Sequence, residues 1–141
     1  MTSDKSRLRR ARLIERMRTA EQRQAAAEAH RAEAVRAKLE QLSARTRTLA
    51  QVYALRDTSR DGADLRSASV LGTHLHYLGA TAARQAADAR READDRLADL
   101  AVAERRLQKA EEGRRDLARS ILERAHGAEP ATGRKTGTHL E

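Results

Sequence analysis

Apolar and small residues recur at three- and four-residue intervals over two long stretches of this chain. The first stretch holds Leu13, Met17, Ala20, Gln24 and Ala27, then a clearer run of Ala32, Val35, Leu39, Leu42, Thr46, Leu49 and Tyr53. The second holds Leu71, Leu75, Leu78, Ala82, Gln85 and Ala89. After a shift near Ala93 and Leu97 it continues as Leu100, Ala103, Leu107, Ala110, Arg114, Leu117 and Ile121. Alternating steps of three and four keep side chains on one side of an α-helix, so each stretch predicts a helix with a heptad seam. In the first stretch the two runs do not join on one strict heptad. The supercoil is therefore expected to relax around residues 20–31.

Between the stretches lies Asp57-Thr58-Ser59-Arg60-Asp61-Gly62, which concentrates turn-favouring residue types and ends in an Asp-Gly dipeptide. Ser3 or Asp4 is placed to cap the first helix, and either Asp61 or Asp64 the second. Gly127 and Pro130 mark its end. The pattern thus predicts helix 1 over about 4–56, a turn over 57–63 and helix 2 over about 64–126. Together these make a hairpin over 1–127, followed by a disordered tail over 128–141. A short connection makes the two helices antiparallel neighbours. The expected fold is all-α, an antiparallel two-helix coiled-coil hairpin. Gly72, Gly79 and Gly113 fall inside helix 2, each costing about 1 kcal/mol of helix propensity relative to Ala.

Composition supports helix over a conventional core. Charged residues make up 35% of the 141 and aromatics 1%, with neither Phe nor Trp. Large buried side chains supply most of a globular core, so a thick interior is excluded. Ala, Arg, Leu, Glu and Gln dominate residues 5–126, and these are strong helix formers, which argues against disorder there. Cysteine is absent, removing disulfides, thiol chemistry and cysteine-based zinc sites. No apolar run reaches membrane-spanning length and no signal-peptide pattern is seen, so a cytoplasmic protein is expected.

The net charge of +8 is unevenly spread. Lys5, Arg7, Arg9, Arg10, Arg12, Arg16 and Arg18 face only Asp4 and Glu15 within the first 18 residues. Such a basic block suits phosphates, an anionic surface or an acidic protein. Aromatic interleaving and a helix-turn-helix or zinc signature are missing, so nucleic acid is the secondary reading. Candidate chemistry is sparse. His74 and His76 stand two apart on a helix, pointing different ways, with no carboxylate at i+3 or i+4, and His30 is alone. Asp94-Asp95 and Glu111-Glu112 are adjacent pairs that belong to a solvated face. Phosphate loops, nucleophile elbows and metalloprotease motifs are absent. The sequence assigns no catalytic residue, no metal, no cofactor and no small-molecule substrate: the chain is not expected to be an enzyme. The turn region carries the richest surface, with Leu42, Leu49, Tyr53 and Leu55 before the turn and Leu65, Val70, Leu71, Leu75, Tyr77 and Leu78 after it. These residues either pack the hairpin or form a docking patch, since a two-helix hairpin buries only one stripe per helix.

In its length, basic N-terminus, two long helices around a short polar turn, and the Leu42/Leu49/Tyr53 and Leu71/Leu75/Leu78 groups flanking that turn, the chain resembles the flagellar FliJ family. These are stalk proteins of flagellar type III export, with injectisome counterparts. The resemblance covers residues 5–126 and is one of architecture. It implies a non-enzymatic stalk or adaptor that enters the hexameric export ATPase, contacts the export gate membrane protein and escorts export chaperones. The protein would be cytoplasmic and peripherally associated with the inner-membrane export apparatus. By the same resemblance Leu42, Leu49, Tyr53, Leu71, Leu75, Tyr77 and Leu78 would meet the gate, and Arg7, Arg9, Arg10, Arg12 and Arg16 the ATPase. The alternative is a basic coiled-coil scaffold or nucleic-acid-binding protein.

Overall fold

A computed structural model describes residues 2–55 and 62–128. They form two helices, α1 over Thr2–Leu55 and α2 over Gly62–Ala128, with no strand among the described residues. The helices pack on one another as the antiparallel hairpin that the periodicity predicts. Three boundary expectations shift. Helix 1 already includes Ser3 and Asp4, so neither stands before it as a cap, and Asp4 instead pairs with Arg124. The predicted turn extends too far, because Gly62 and Ala63 are helical and Asp64 lies in the first turn of α2. Gly127 and Ala128 continue α2 without a left-handed glycine, so helix 2 outlasts its predicted end. The turn at 57–61, the Asp61 cap and the tail at 129–141 lie outside the described residues.

Both helices contribute to two compact units. A turn-side unit comprises Arg23–Val102, and a terminal unit comprises Met1–Gln22 with Ala103–Glu141. In the turn-side unit the seam positions of α1, among its shielded residues, are Ala25, Ala29, Ala32, Arg36, Leu39, Ser43, Thr46 and Ala50. Those of α2 are Leu75, Gly79, Ala82, Ala86, Ala89, Ala93, Arg96 and Leu100. In the terminal unit they are Asp4, Leu8, Ala11, Glu15, Arg18 and Gln22 on α1, and Ala103, Leu107, Ala110, Arg114, Leu117 and Ile121 on α2. The steps alternate strictly between four and three on both helices, an unbroken heptad.

That heptad corrects the sequence expectation. Neither the relaxed register at 20–31 nor the shift near Ala93/Leu97 exists. Leu13, Met17, Val35, Leu42, Leu49, Leu78 and Leu97 are exposed, while Ala93 is only 1% exposed. The physical reason is the width of the seam. The buried set is Ala29, Ala82, Ala86, Ala89, Ala93, Ala103 and Ser43, and no large side chain is fully enclosed among the described residues. Small residues at the buried positions let two helices approach closely, and the leucines that do enter the seam, such as Leu39, Leu75 and Leu100, are only half-buried. Large residues sit opposite small ones. A Cβ placed on Gly79 would lie 3.8 Å from Thr46 Cγ2. Counting outward from that contact sets Ser43 across from Ala82, Leu39 from Ala86, Ala32 from Ala93 and Ala29 from Arg96.

An alanine seam is thin, since each buried methyl contributes about 0.8 kcal/mol. Ion pairs across the seam add direction. Arg96 Nη1 lies 3.2 Å from Glu28 Oε2 in the turn-side unit. In the terminal unit Arg114 Nε lies 2.5 Å from Glu15 Oε2, and Arg124 Nη2 lies 3.7 Å from Asp4 Oδ1. The Gly79 contact also yields a prediction. Its 3.8 Å spacing is ordinary van der Waals contact, so Gly79→Ala removes a helix-interior glycine without a clash. The thermal midpoint should rise by the equivalent of about 0.5–1 kcal/mol. A drop on calorimetry would contradict the Thr46/Gly79 register.

Candidate interaction surfaces

With the seam lettered so that Leu8 and Gly79 occupy a positions, the flanking g positions of α1 in the turn-side unit are Glu28, Val35, Leu42 and Leu49. Those of α2 are Leu71, Leu78, Gln85, Glu92 and Asp99. The antiparallel pairing brings g next to g and e next to e. One groove in this unit is lined by Glu28, Arg31, Ala32, Val35, Ala89, Glu92 and Arg96. The opposite groove is lined by the e residues Glu40, Arg47, Ala83 and Arg90 with the seam residues between them. The two sides differ in chemistry. The e side is polar and small-residue apart from Leu97, whereas the g side carries Val35, Leu42, Leu49, Leu71 and Leu78.

The structure therefore brings four of the seven turn-region candidates onto one side. Leu42 and Leu49 are 50% exposed, and Leu71 and Leu78 are also exposed. Leu75 is half-buried in the seam and serves packing. Tyr53 is exposed beyond Ala50, at the next seam position of α1. Tyr77 is exposed on the outer face of α2, where it shares a shallow concavity with Ser69, Val70, Thr73 and His74. Nothing is described of the Leu55 side chain. Val35, expected in the seam, belongs instead to the g-side surface. Its spacing of seven from Leu42, and of fourteen from Leu49, is the signal that places it there.

The terminal unit has a different surface. Arg7, Arg9, Arg10, Arg12 and Arg16 are all exposed and make no ion pair among the described residues. The two acids nearest them in sequence, Asp4 and Glu15, are held by Arg124 and Arg114 of α2. Arg18 pairs with Glu21 at 2.8 Å. Leu13, Ile14 and Met17 are exposed among these arginines. Leu13 and Met17, expected in the seam, thus form part of a mixed basic and apolar surface. Counting the sequence by unit, 16 Lys+Arg stand against 10 Asp+Glu in the terminal unit and 13 against 11 in the turn-side unit. Six of the eight net positive charges thus belong to the terminal unit.

The remaining charged features are helix-surface pairs. Arg36, at a seam position, turns back to Glu40 (Nη1 to Oε2, 2.5 Å) and to both oxygens of Glu33. The hydrogen bond from Arg36 holds the Glu33 carboxyl below its ordinary 4.5, and the same bond with Glu33, then Glu40, raises Arg36. The hydrogen bond from Glu92 raises Arg96. A depressed Glu33 contributes stability that is present above about pH 4.5 and is lost as the pH falls through its folded value. Titration from about pH 7 to pH 3 should therefore remove this contribution as the pH falls below about 4.5, and Glu33→Gln should shrink the accompanying fall in thermal midpoint. An equal fall in the variant would show that Glu33 contributes nothing to it. The effect is small because the pair is solvent-screened.

Among the described residues no group of three or more His, Cys, Asp or Glu side chains is placed to hold a metal ion. No described helix is long and apolar enough to cross a membrane. No protein-family model, curated protein or solved structure matches the chain.

Proposed function

We propose that this chain is a non-enzymatic helical-hairpin adaptor that binds two partners of different chemistry. The observation that carries this reading is the segregation of surface types. Arginines with no ion pair among the described residues cluster near the start of α1 in the terminal unit, and exposed leucines line one side of the turn-side unit. An isolated alanine-seamed hairpin has no structural need for Val35, Leu42, Leu49, Leu71 and Leu78 to be exposed on one side. Exposed apolar residues grouped in this way mark an interaction surface.

The setting that fits this division best is a type III export apparatus, flagellar or injectisome. There the terminal unit would sit within the hexameric export ATPase, its arginines meeting several subunits through long-range, weakly oriented attraction. The leucine-bearing unit would contact the export gate membrane protein, with export chaperones as further cargo. The protein would then be cytoplasmic and peripheral to the inner membrane. Pull-down of the tagged full chain from cells expressing an export ATPase tests this directly. The expected result is recovery of the hexameric ATPase, and repeated recovery of nucleic acid alone would replace the adaptor with the basic-scaffold alternative. Binding to random-sequence DNA with a steep salt dependence would have the same meaning.

A further inference from the structure

We propose that the g side of the turn-side unit is a self-association surface, covered by a second copy of the same unit in a two-fold symmetric four-helix arrangement. Self-association of this kind is independent of the export reading, and any partner taking the same leucines would compete with it.

The first support is the pattern. A helix that packs against a single partner carries apolar residues at a and d only, whereas helices of a bundle carry them at a, d and g or e. In this unit both helices carry the third column, and on the same letter. Half of the sixteen shielded a and d positions here are alanine and three are leucine, while four further leucines stand exposed at g: Leu42 and Leu49 on α1, Leu71 and Leu78 on α2. The alanine seam closes the hairpin, and the leucine column is left for a second layer.

The second support is charge, and it selects both the occupant and its orientation. Next to the g column on each helix lies the c column. On α1 this reads Arg31, Lys38, Arg45, and on α2 it reads Asp95, Asp88, Thr81. One edge of the face is therefore basic and the other acidic. Counting from the Thr46/Gly79 contact, Arg31 lies at the height of Asp95, and Lys38 at that of Asp88, to within one residue's rise. A two-fold axis running along the helices, in the plane of the face, turns the basic edge of one copy onto the acidic edge of the other. Both pairings then form twice at matching heights. The same operation brings Leu49 and Leu78 of each copy, which lie within two residues' rise of one another by the same count, into a four-leucine cluster around the axis. A two-fold axis across the helices would instead set basic edge on basic edge. Arg31 and Asp95 have no ion-pair partner among the described residues, while Asp88 holds Arg91 in an exposed pair.

Sedimentation of the full chain over the micromolar range, with helicity followed by circular dichroism, tests the proposal. Wild type should sediment at twice the 15.7 kDa chain mass. Leu49→Ser with Leu78→Ser should yield a monomer of undiminished helicity. Arg31→Glu alone and Asp95→Arg alone should each weaken association about tenfold, because symmetry counts every pair twice. Combined in one chain, Arg31→Glu and Asp95→Arg should restore it. A wild-type monomer at all concentrations overturns the proposal. So does a dimer unaffected by the leucine changes. Failure of the charge exchange to rescue a still-helical protein overturns the orientation on which it rests.

Discussion

Ala93→Leu should destabilise this protein by about 1–3 kcal/mol, whereas Leu97→Ala, four residues further along the same helix, should change stability by no more than about 0.5 kcal/mol. The usual expectation for a leucine and an alanine on one helix is the reverse. Ala93 is 1% exposed and, by the Thr46/Gly79 register, stands across from Ala32, so the larger side chain has nowhere to go without separating the helices. Leu97 is half exposed at an e position and loses little on truncation. In a hairpin whose buried residues are alanines and one serine, a cost of this size is a large share of total stability. Chemical denaturation monitored by circular dichroism measures both. A larger loss for Leu97→Ala than for Ala93→Leu would mean that the leucines, not the alanines, form the seam.

The second large effect concerns the terminal unit. Reversing Arg9, Arg10 and Arg12 to Glu changes the net charge from +8 to +2, two units for each of three residues. All three side chains are exposed and unpaired among the described residues, so the helix should keep its content. Association with an export ATPase should fall by about tenfold or more, and the wild-type interaction should weaken with added salt. Unchanged binding with intact helicity would remove the basic block from the proposed ATPase contact.

The fold is legible in the sequence because its signals are local. Helix-forming residues fill both stretches, turn residues cluster once between them, and no aromatic core competes with the hairpin. The seam is only partly legible. Over Leu100–Ile121 the residues of the periodic run are those of the seam, because leucine and alanine alternate there on a single face. Over Ala32–Tyr53 the chain carries two neighbouring columns three and four apart. Following the largest residues selects Val35, Leu42 and Leu49, whereas the helices pack on Arg36, Ser43 and Ala50. Hydrophobicity scales rank leucine over alanine, while close helix approach ranks them by size, and size decides here. The same ranking leaves Leu42, Leu49, Leu71 and Leu78 open between packing and docking and puts Val35 in the seam, whereas all five are exposed on one side. The arginine block is visible from composition alone, but its lack of acidic partners depends on Arg114 and Arg124 taking up Glu15 and Asp4.

The exposed leucine column and the charge pairing both follow from the alanine seam and its register. The chain has no cysteine, so a pair introduced at Thr46→Cys and Gly79→Cys reports on that register alone. A γ atom at position 46 lies 3.8 Å from the Cβ position at 79, within reach of a disulfide after a small rotamer adjustment. Mild oxidation should join the two cysteines within a single chain, giving a faster-migrating monomer on a non-reducing gel at every protein concentration. Failure to cross-link, or cross-links formed only between chains, would contradict the seam and with it the surfaces derived from it.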